Sequence, residues 1–95
     1  MTRLVESEKV IERRLVELVK SKGGLCIKLL SDQMSGLPDR MCLLPGGQII
    51  FAELKTTGKK PRKIQVFVHN RLRDLGFRVE VIDSTSGVTD LIDSL

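Results

Sequence analysis

Apolar residues return at Ile11, Leu15, Leu18 and Val19. That is the i, i+4, i+7, i+8 spacing of one helical stripe, and it predicts a helix from about Val5 to Lys22 that Gly23-Gly24 stops. Leu25 to Leu30 is rich in apolar residues and reads as a first strand. Residues 31–38 hold Ser, Asp, Gly and Pro and read as a loop. Arg40 to Leu44 reads as a second strand, Pro45-Gly46-Gly47 as a turn, and Gln48 to Lys55 as a third strand antiparallel to the second. Thr56 to Arg62 is a polar, basic loop. The spacing then predicts a second helix from about Lys63 to Leu75 with Ile64, Phe67, Val68, Leu72 and Leu75 inward and Gly76 as its cap. Phe77 to Ile82 alternates as a fourth strand, and Ser84 to Ser86 leads into a short last helix with Val88, Leu91, Ile92 and Leu95 on one side. The order is α-β-β-β-α-β-α. A helix between strands three and four can serve as a crossover, which predicts an α/β fold with a central mixed four-stranded sheet flanked by helices.

With 95 residues, 41% of them hydrophobic, the chain reads as one domain spanning residues 1–95. Domains this small bury a modest share of their surface, which makes pairing of two copies plausible. No apolar run approaches a membrane span, and the first residues lack the apolar stretch of a signal peptide. Cys26 and Cys42 have no metal-ligand spacing and read as reduced thiols of a cytoplasmic protein.

Charge changes the picture more. The net charge is +4, yet Lys55, Lys59, Lys60, Arg62, Lys63, Arg71, Arg73 and Arg78 face one acid, Asp74, between residues 55 and 78. That segment carries 8 − 1 = +7, leaving 4 − 7 = −3 for the rest. Such a patch attracts a polyphosphate backbone. With no Trp or Tyr and three Phe, a reader of single strands by base stacking is disfavoured.

The candidate chemistry lies at one end of the predicted hairpin, in Gly36-Leu37-Pro38-Asp39-Arg40 and Ala52-Glu53-Leu54-Lys55. Alternation puts Glu53 and Lys55 on one face. A turn centred on Gly46-Gly47 predicts Asp39 opposite Leu54 and diagonal to both Glu53 and Lys55, a separation of roughly 7–8 Å across antiparallel strands. Pro38 restrains the chain where it enters the sheet, and Gly36 allows a tight turn before it. Adjacent carboxylates disfavour joint ionisation. Mg²⁺ or Mn²⁺ reverses that cost, and Asp39, Glu53 and the Leu54 carbonyl supply the oxygen ligands these ions take. Lys55 would orient a water or stabilise charge on phosphate oxygens. Glu-X-Lys alone reads as a surface ion pair; its conjunction with Pro-Asp, the hairpin and a following basic loop favours a site. The segment Thr57-Gly58-Lys59-Lys60-Pro61-Arg62-Lys63 lacks the Walker spacing and reads as a clamp on DNA phosphates through Lys59, Lys60, Arg62 and Lys63.

The conjunction resembles the PD-(D/E)XK nuclease superfamily, most closely the compact single-domain VRR-NUC members of phages and bacteria. It covers nearly the whole chain: an opening helix with acids, Gly-X-Pro-Asp-Arg, the hairpin, Ala-Glu-Leu-Lys, the Gly-containing basic loop, Gln on the next helix and a closing strand. The resemblance implies a restriction-endonuclease-like core and Mg²⁺- or Mn²⁺-dependent endonuclease activity. It also implies branched DNA as substrate, as in Holliday-junction resolvases, a homodimer, and the bacterial host cytoplasm as location for a phage protein. By it Asp39 and Glu53 are metal ligands, Lys55 is the catalytic lysine and Gln65 supports the site. His69 stands where some relatives carry Tyr; a lone His on a helix is more often structural, and a DNA contact is the alternative left open. Glu8 and Glu12 share one side of the first helix. Glu12-Arg13-Arg14-Leu15-Val16 looks closer to the opening helix of related resolvases, so Glu12 is the favoured further ligand and Glu8 the second choice. The rival readings are a non-catalytic DNA-binding or assembly subunit and a general nuclease or nickase of the same superfamily.

Overall fold

A computed structural model describes residues 4–32 and 34–95; residue 33, inside the expected loop 31–38, lies outside the described residues. The first helix, α1 (Glu8–Ser21), starts later than its apolar stripe implies because Ser7 caps it: the Val10 N–H donates to Ser7 Oγ at 3.2 Å. The other elements are β1 (Leu25–Lys28), β2 (Arg40–Leu44), β3 (Gln48–Leu54), α2 (Lys63–Asp74), β4 (Arg78–Ile82) and α3 (Thr85–Asp93), in the expected order. Among the described residues no helix is long and apolar enough to cross a membrane.

The strands lie in the order β1-β2-β3-β4. The first three pair antiparallel and β4 runs parallel to β3, so the sheet is mixed and α2 is the crossover between its parallel strands. Alternation along β3 decides what each face meets. Ile50, Ala52 and Leu54 join Ile11, Leu15 and Val19 of α1 and Val88, Leu91 and Ile92 of α3 in the main core. Glu53 points the other way, toward α2. The start of α3 is tied to the chain before α1, where the Glu6 carboxylate accepts from the Thr85 N–H at 2.8 Å and the Thr85 hydroxyl at 2.7 Å.

Three expectations are corrected. The hairpin register is shifted by one residue from that expected: Leu44 pairs with Gln48 and Arg40 with Ala52, with Pro45, Gly46 and Gly47 in the turn as read. Gly46 and Gly47 both take positive φ (83° and 77°), which accommodates the three-residue turn. Carried one pair further, this register sets Asp39 opposite Glu53 instead of Leu54. Helix α2 is rotated from the face its apolar residues prescribe. It buries Gln65, Val68 and His69, while Ile64, Phe67 and Leu75 are 43%, 62% and 66% exposed. The reason is the partner beneath it: the sheet presents Glu53 there, and a buried carboxylate requires polar company. Leu95 lies past the end of α3 and is exposed instead of sharing its buried face.

The approach to Asp39 depends on Gly36, whose φ is +85°. A Cβ there would sit 2.6 Å from the Ile64 carbonyl oxygen and 2.9 Å from Val68 Cγ2, so the bare backbone lets the loop lie directly on α2. Gly47 has φ +77°, but a Cβ added to it would meet nothing within 4 Å. Gly47→Ala is therefore expected to lose only the left-handed conformational preference, about 1 kcal/mol. Gly36→Ala adds a backbone clash and should lose upwards of ~2 kcal/mol. Urea unfolding of the two variants checks this; equal losses would mean that the loop does not need its contact with α2.

Candidate metal centre

Asp39 follows the buried Pro38 and sits immediately before β2. Its Oδ2 accepts from the Leu54 N–H at 2.8 Å, which fixes the aspartate against the last residue of β3. Leu54, expected to lend a carbonyl, holds Asp39 through its N–H. Glu53 is 1% exposed. Its Oε2 receives the Lys55 ammonium at 3.1 Å and the Gln65 amide at 3.0 Å. Gln65 in turn accepts from the Arg62 N–H at 2.8 Å, so the start of α2 is tied to the same carboxylate. Burial, and secondarily Asp39, push the Glu53 carboxyl above the usual range against the opposing pull of Lys55.

Glu8, Asp39 and Glu53 each offer a carboxylate oxygen, and these oxygens lie within 4.8 Å of one another. The structure brings Glu8, the second choice, into this group and places Glu12 elsewhere. Glu12 Oε2 takes the Arg40 Nε at 2.9 Å, while Arg40 Nη1 reaches the Cys26 carbonyl at 3.2 Å. The signal was in the hairpin: Arg40 pairs with Ala52 on the core face, toward α1, and so takes one of the two helix acids as counter-ion. Glu12 still lines the open cleft over the site with Glu8, Lys9, Lys28 and Asp39. Lys9 and Lys28 were not anticipated; Lys28 pairs directly with Arg40, and that register could have placed it.

His69 follows the structural reading, buried on the inner side of α2. It is 1% exposed, with Nε2 3.7 Å from Glu53 Oε1, and burial lowers its pKa, helped by Arg73 and Lys55. Lys59, Lys60, Arg62 and Lys63 are exposed, as a phosphate clamp requires. Their loop is anchored beneath them: the Thr57 hydroxyl donates to the Asp83 carbonyl at 2.7 Å and the Gly58 N–H to Asp83 Oδ2 at 3.0 Å. Cys26 and Cys42 are free thiols on paired strands, their sulfurs 4.0 Å apart.

The three carboxylates suit a hard divalent cation. All the donors are oxygen, the acids crowd within a few ångström, and the buried Glu53 Oε1 has no hydrogen-bond partner among the described residues. Such a cation would offset the repulsion that raises the Glu53 pKa.

No protein-family model matches the chain. It is similar to "Putative nuclease p44" of Acyrthosiphon pisum secondary endosymbiont phage 1, at 46% identity over 77 residues that cover 81% of this chain and 83% of the phage protein. Among solved structures it is similar to a VRR_NUC domain at TM-score 0.86 and 33% identity, covering 93% of this chain and 97% of that one.

The raised Glu53 pKa has a definite sign. Between the unfolded and folded values the folded chain binds more protons, so this group's contribution to stability falls as pH rises through that window. In chelator, Glu53→Gln is expected to raise Tm above wild type near neutral pH by several degrees, about 4–8 °C per kcal/mol in a domain of this size. The difference should shrink toward about pH 4, where the unfolded carboxylate is also protonated. Calorimetric melts at both pH values test this; an equal difference at both would show that the glutamate's charge is not strained in the fold.

Proposed function

Because the chain belongs to the VRR-NUC family, we propose that it is a metal-dependent endodeoxyribonuclease that hydrolyses phosphodiester bonds in branched DNA. One observation carries the reading: carboxylates from α1, the entry to β2 and the end of β3 converge beside a lysine ammonium. Glu8, Asp39 and Glu53, with the Leu54 carbonyl, would hold Mg²⁺ or Mn²⁺, and Glu12 borders them through its pair with Arg40. When bound, such a cation polarises the scissile phosphate and acidifies a water.

The remaining work falls to side chains of this chain. Gln65 holds Glu53 Oε2, which keeps the carboxylate from swinging away from Asp39. Lys55, half-buried and 3.1 Å from the same oxygen, presents an ammonium where charge develops on the phosphoryl oxygens and can orient the attacking water. The DNA backbone lies along Lys59, Lys60, Arg62 and Lys63, which contact phosphates without reading bases. Recognition by backbone shape, without stacking aromatics, supports selection of branched substrates such as four-way junctions.

The active form is a homodimer of single 95-residue nuclease domains. The α2 side supports this, because Ile27, Ile49, Phe67 and Val81 leave apolar surface exposed there. Two centres would let a pair of strands be cut. The phage relative supports action in the cytoplasm of a bacterial host.

Incubating the protein with four-way, nicked, linear and single-stranded DNA, with Mn²⁺ or Mg²⁺ and with EDTA, tests the proposal. Cleavage that needs the cation and is fastest on the junction is expected. Binding without products would favour a DNA-binding subunit, and equal rates on all substrates a general nuclease or nickase. Asp39→Asn and Glu8→Gln should each reduce cleavage by roughly a thousandfold, the scale of losing several kcal/mol of transition-state stabilisation. Glu12→Gln should reduce it far less; the reverse ranking would restore Glu12 as the ligand. Neutralising Lys59, Lys60 and Arg62 together should weaken DNA binding and lower the slope of log K against log salt by about 2.7, the release of three counterions at ~0.9 each. An unchanged slope would place the DNA elsewhere.

A further inference from the structure

Helix α2 has Ile64, Val66 and Phe67 available to face the sheet, yet it buries Gln65, Val68 and His69. Burying polar side chains in place of apolar ones is unfavourable unless each finds a partner. Gln65 finds Glu53 Oε2 at 3.0 Å. His69 is 1% exposed, and its Nε2 faces Glu53 Oε1 at 3.7 Å. These two atoms are the buried side-chain polar atoms that lack a hydrogen bond among the described residues, and they face each other.

Gln65 and His69 are four apart, so one face of α2 presents both to one carboxylate. A carboxylate has about four lone-pair sites. Lys55 and Gln65 take two on Oε2. An imidazole with its proton on Nε2 would donate to Oε1 after a closure of less than an ångström, making three. One site then remains for a cation, and the plane of the carboxylate is fixed.

We propose that His69 is a positioning residue for Glu53, holding Oε1 from the α2 side so that the glutamate meets a divalent cation in one orientation. The proposal rests on the reading of Glu53 as a metal ligand. It accounts for a buried histidine that touches neither solvent nor DNA, and for the rotation of α2 that exposes Phe67.

The test is calorimetric titration of the full chain with Mn²⁺ in the absence of DNA, beside melts in chelator and cleavage assays. His69→Leu keeps the bulk and removes the donor. It is expected to melt no lower than wild type, yet to lose Mn²⁺ affinity by about 10–100-fold, the usual effect of removing a group that orients a metal ligand. His69→Gln places an amide N–H near the position of Nε2 and should recover most of the loss. His69→Asn, polar but too short, should behave like the leucine variant and replaces it in the comparison should that variant fail to fold. Wild-type Mn²⁺ affinity in the leucine or asparagine variant would overturn the proposal, as would a glutamine variant no better than they are. Absence of Mn²⁺ binding by wild type would instead remove the metal-centre reading on which the proposal stands.

Discussion

Glu53 is the constraint around which the α2 side of the structure is arranged. A carboxylate that is 1% exposed beside Asp39 is unstable unless its oxygens are engaged. Oε2 is engaged by Lys55 on the same strand face and Gln65 from the crossover helix, and Oε1 faces His69, which together require a rotation of that helix that leaves Ile64 and Phe67 outside. Gly36 then lets the loop that delivers Asp39 lie on the same helix, and the Leu54 N–H fixes Asp39 beside the end of β3. Apolar packing on the opposite face, from α1 and α3, supplies the rigidity that keeps these polar groups in place.

Much of this was legible from residue order. The α1 stripe, the hairpin and the parallel return of β4 follow from periodicity and turn chemistry, the Gln on α2 came from the family resemblance alone, and strand β2 has the bounds its pattern gives. What failed, failed for tertiary reasons. The apolar pattern of α2 predicts Ile64 and Phe67 inward because periodicity weighs residues by hydrophobicity alone. The buried charge on β3 outweighs it, and that charge is visible only once the strand has been given a face. The order of preference between Glu8 and Glu12 differs from the observed grouping for a related reason. Both lie on one side of α1, and only the pairing of Arg40 with Ala52 shows which of them is already taken. The register error came from centring the turn between Gly46 and Gly47, whereas the three-residue turn Pro45-Gly46-Gly47 centres on Gly46.

The two faces of the sheet therefore differ in kind. One is closed by α1 and α3 over aliphatic side chains. The other is only partly covered, by a helix that buries Gln65 and His69 beside Val68 and leaves Ile64, Val66 and Phe67 exposed. Its surplus of exposed apolar surface follows directly from the rotation that seats Gln65 and His69.

The link between Glu6 and Thr85 has a consequence for when the centre comes into being. It joins segments 79 positions apart, and α1, which carries Glu8, packs against α3. A nascent chain that has emerged only as far as β3 already contains every acid of the cluster, but the seat of its opening helix is still being synthesised. Assembly of the acid cluster is thereby coupled to completion of the fold.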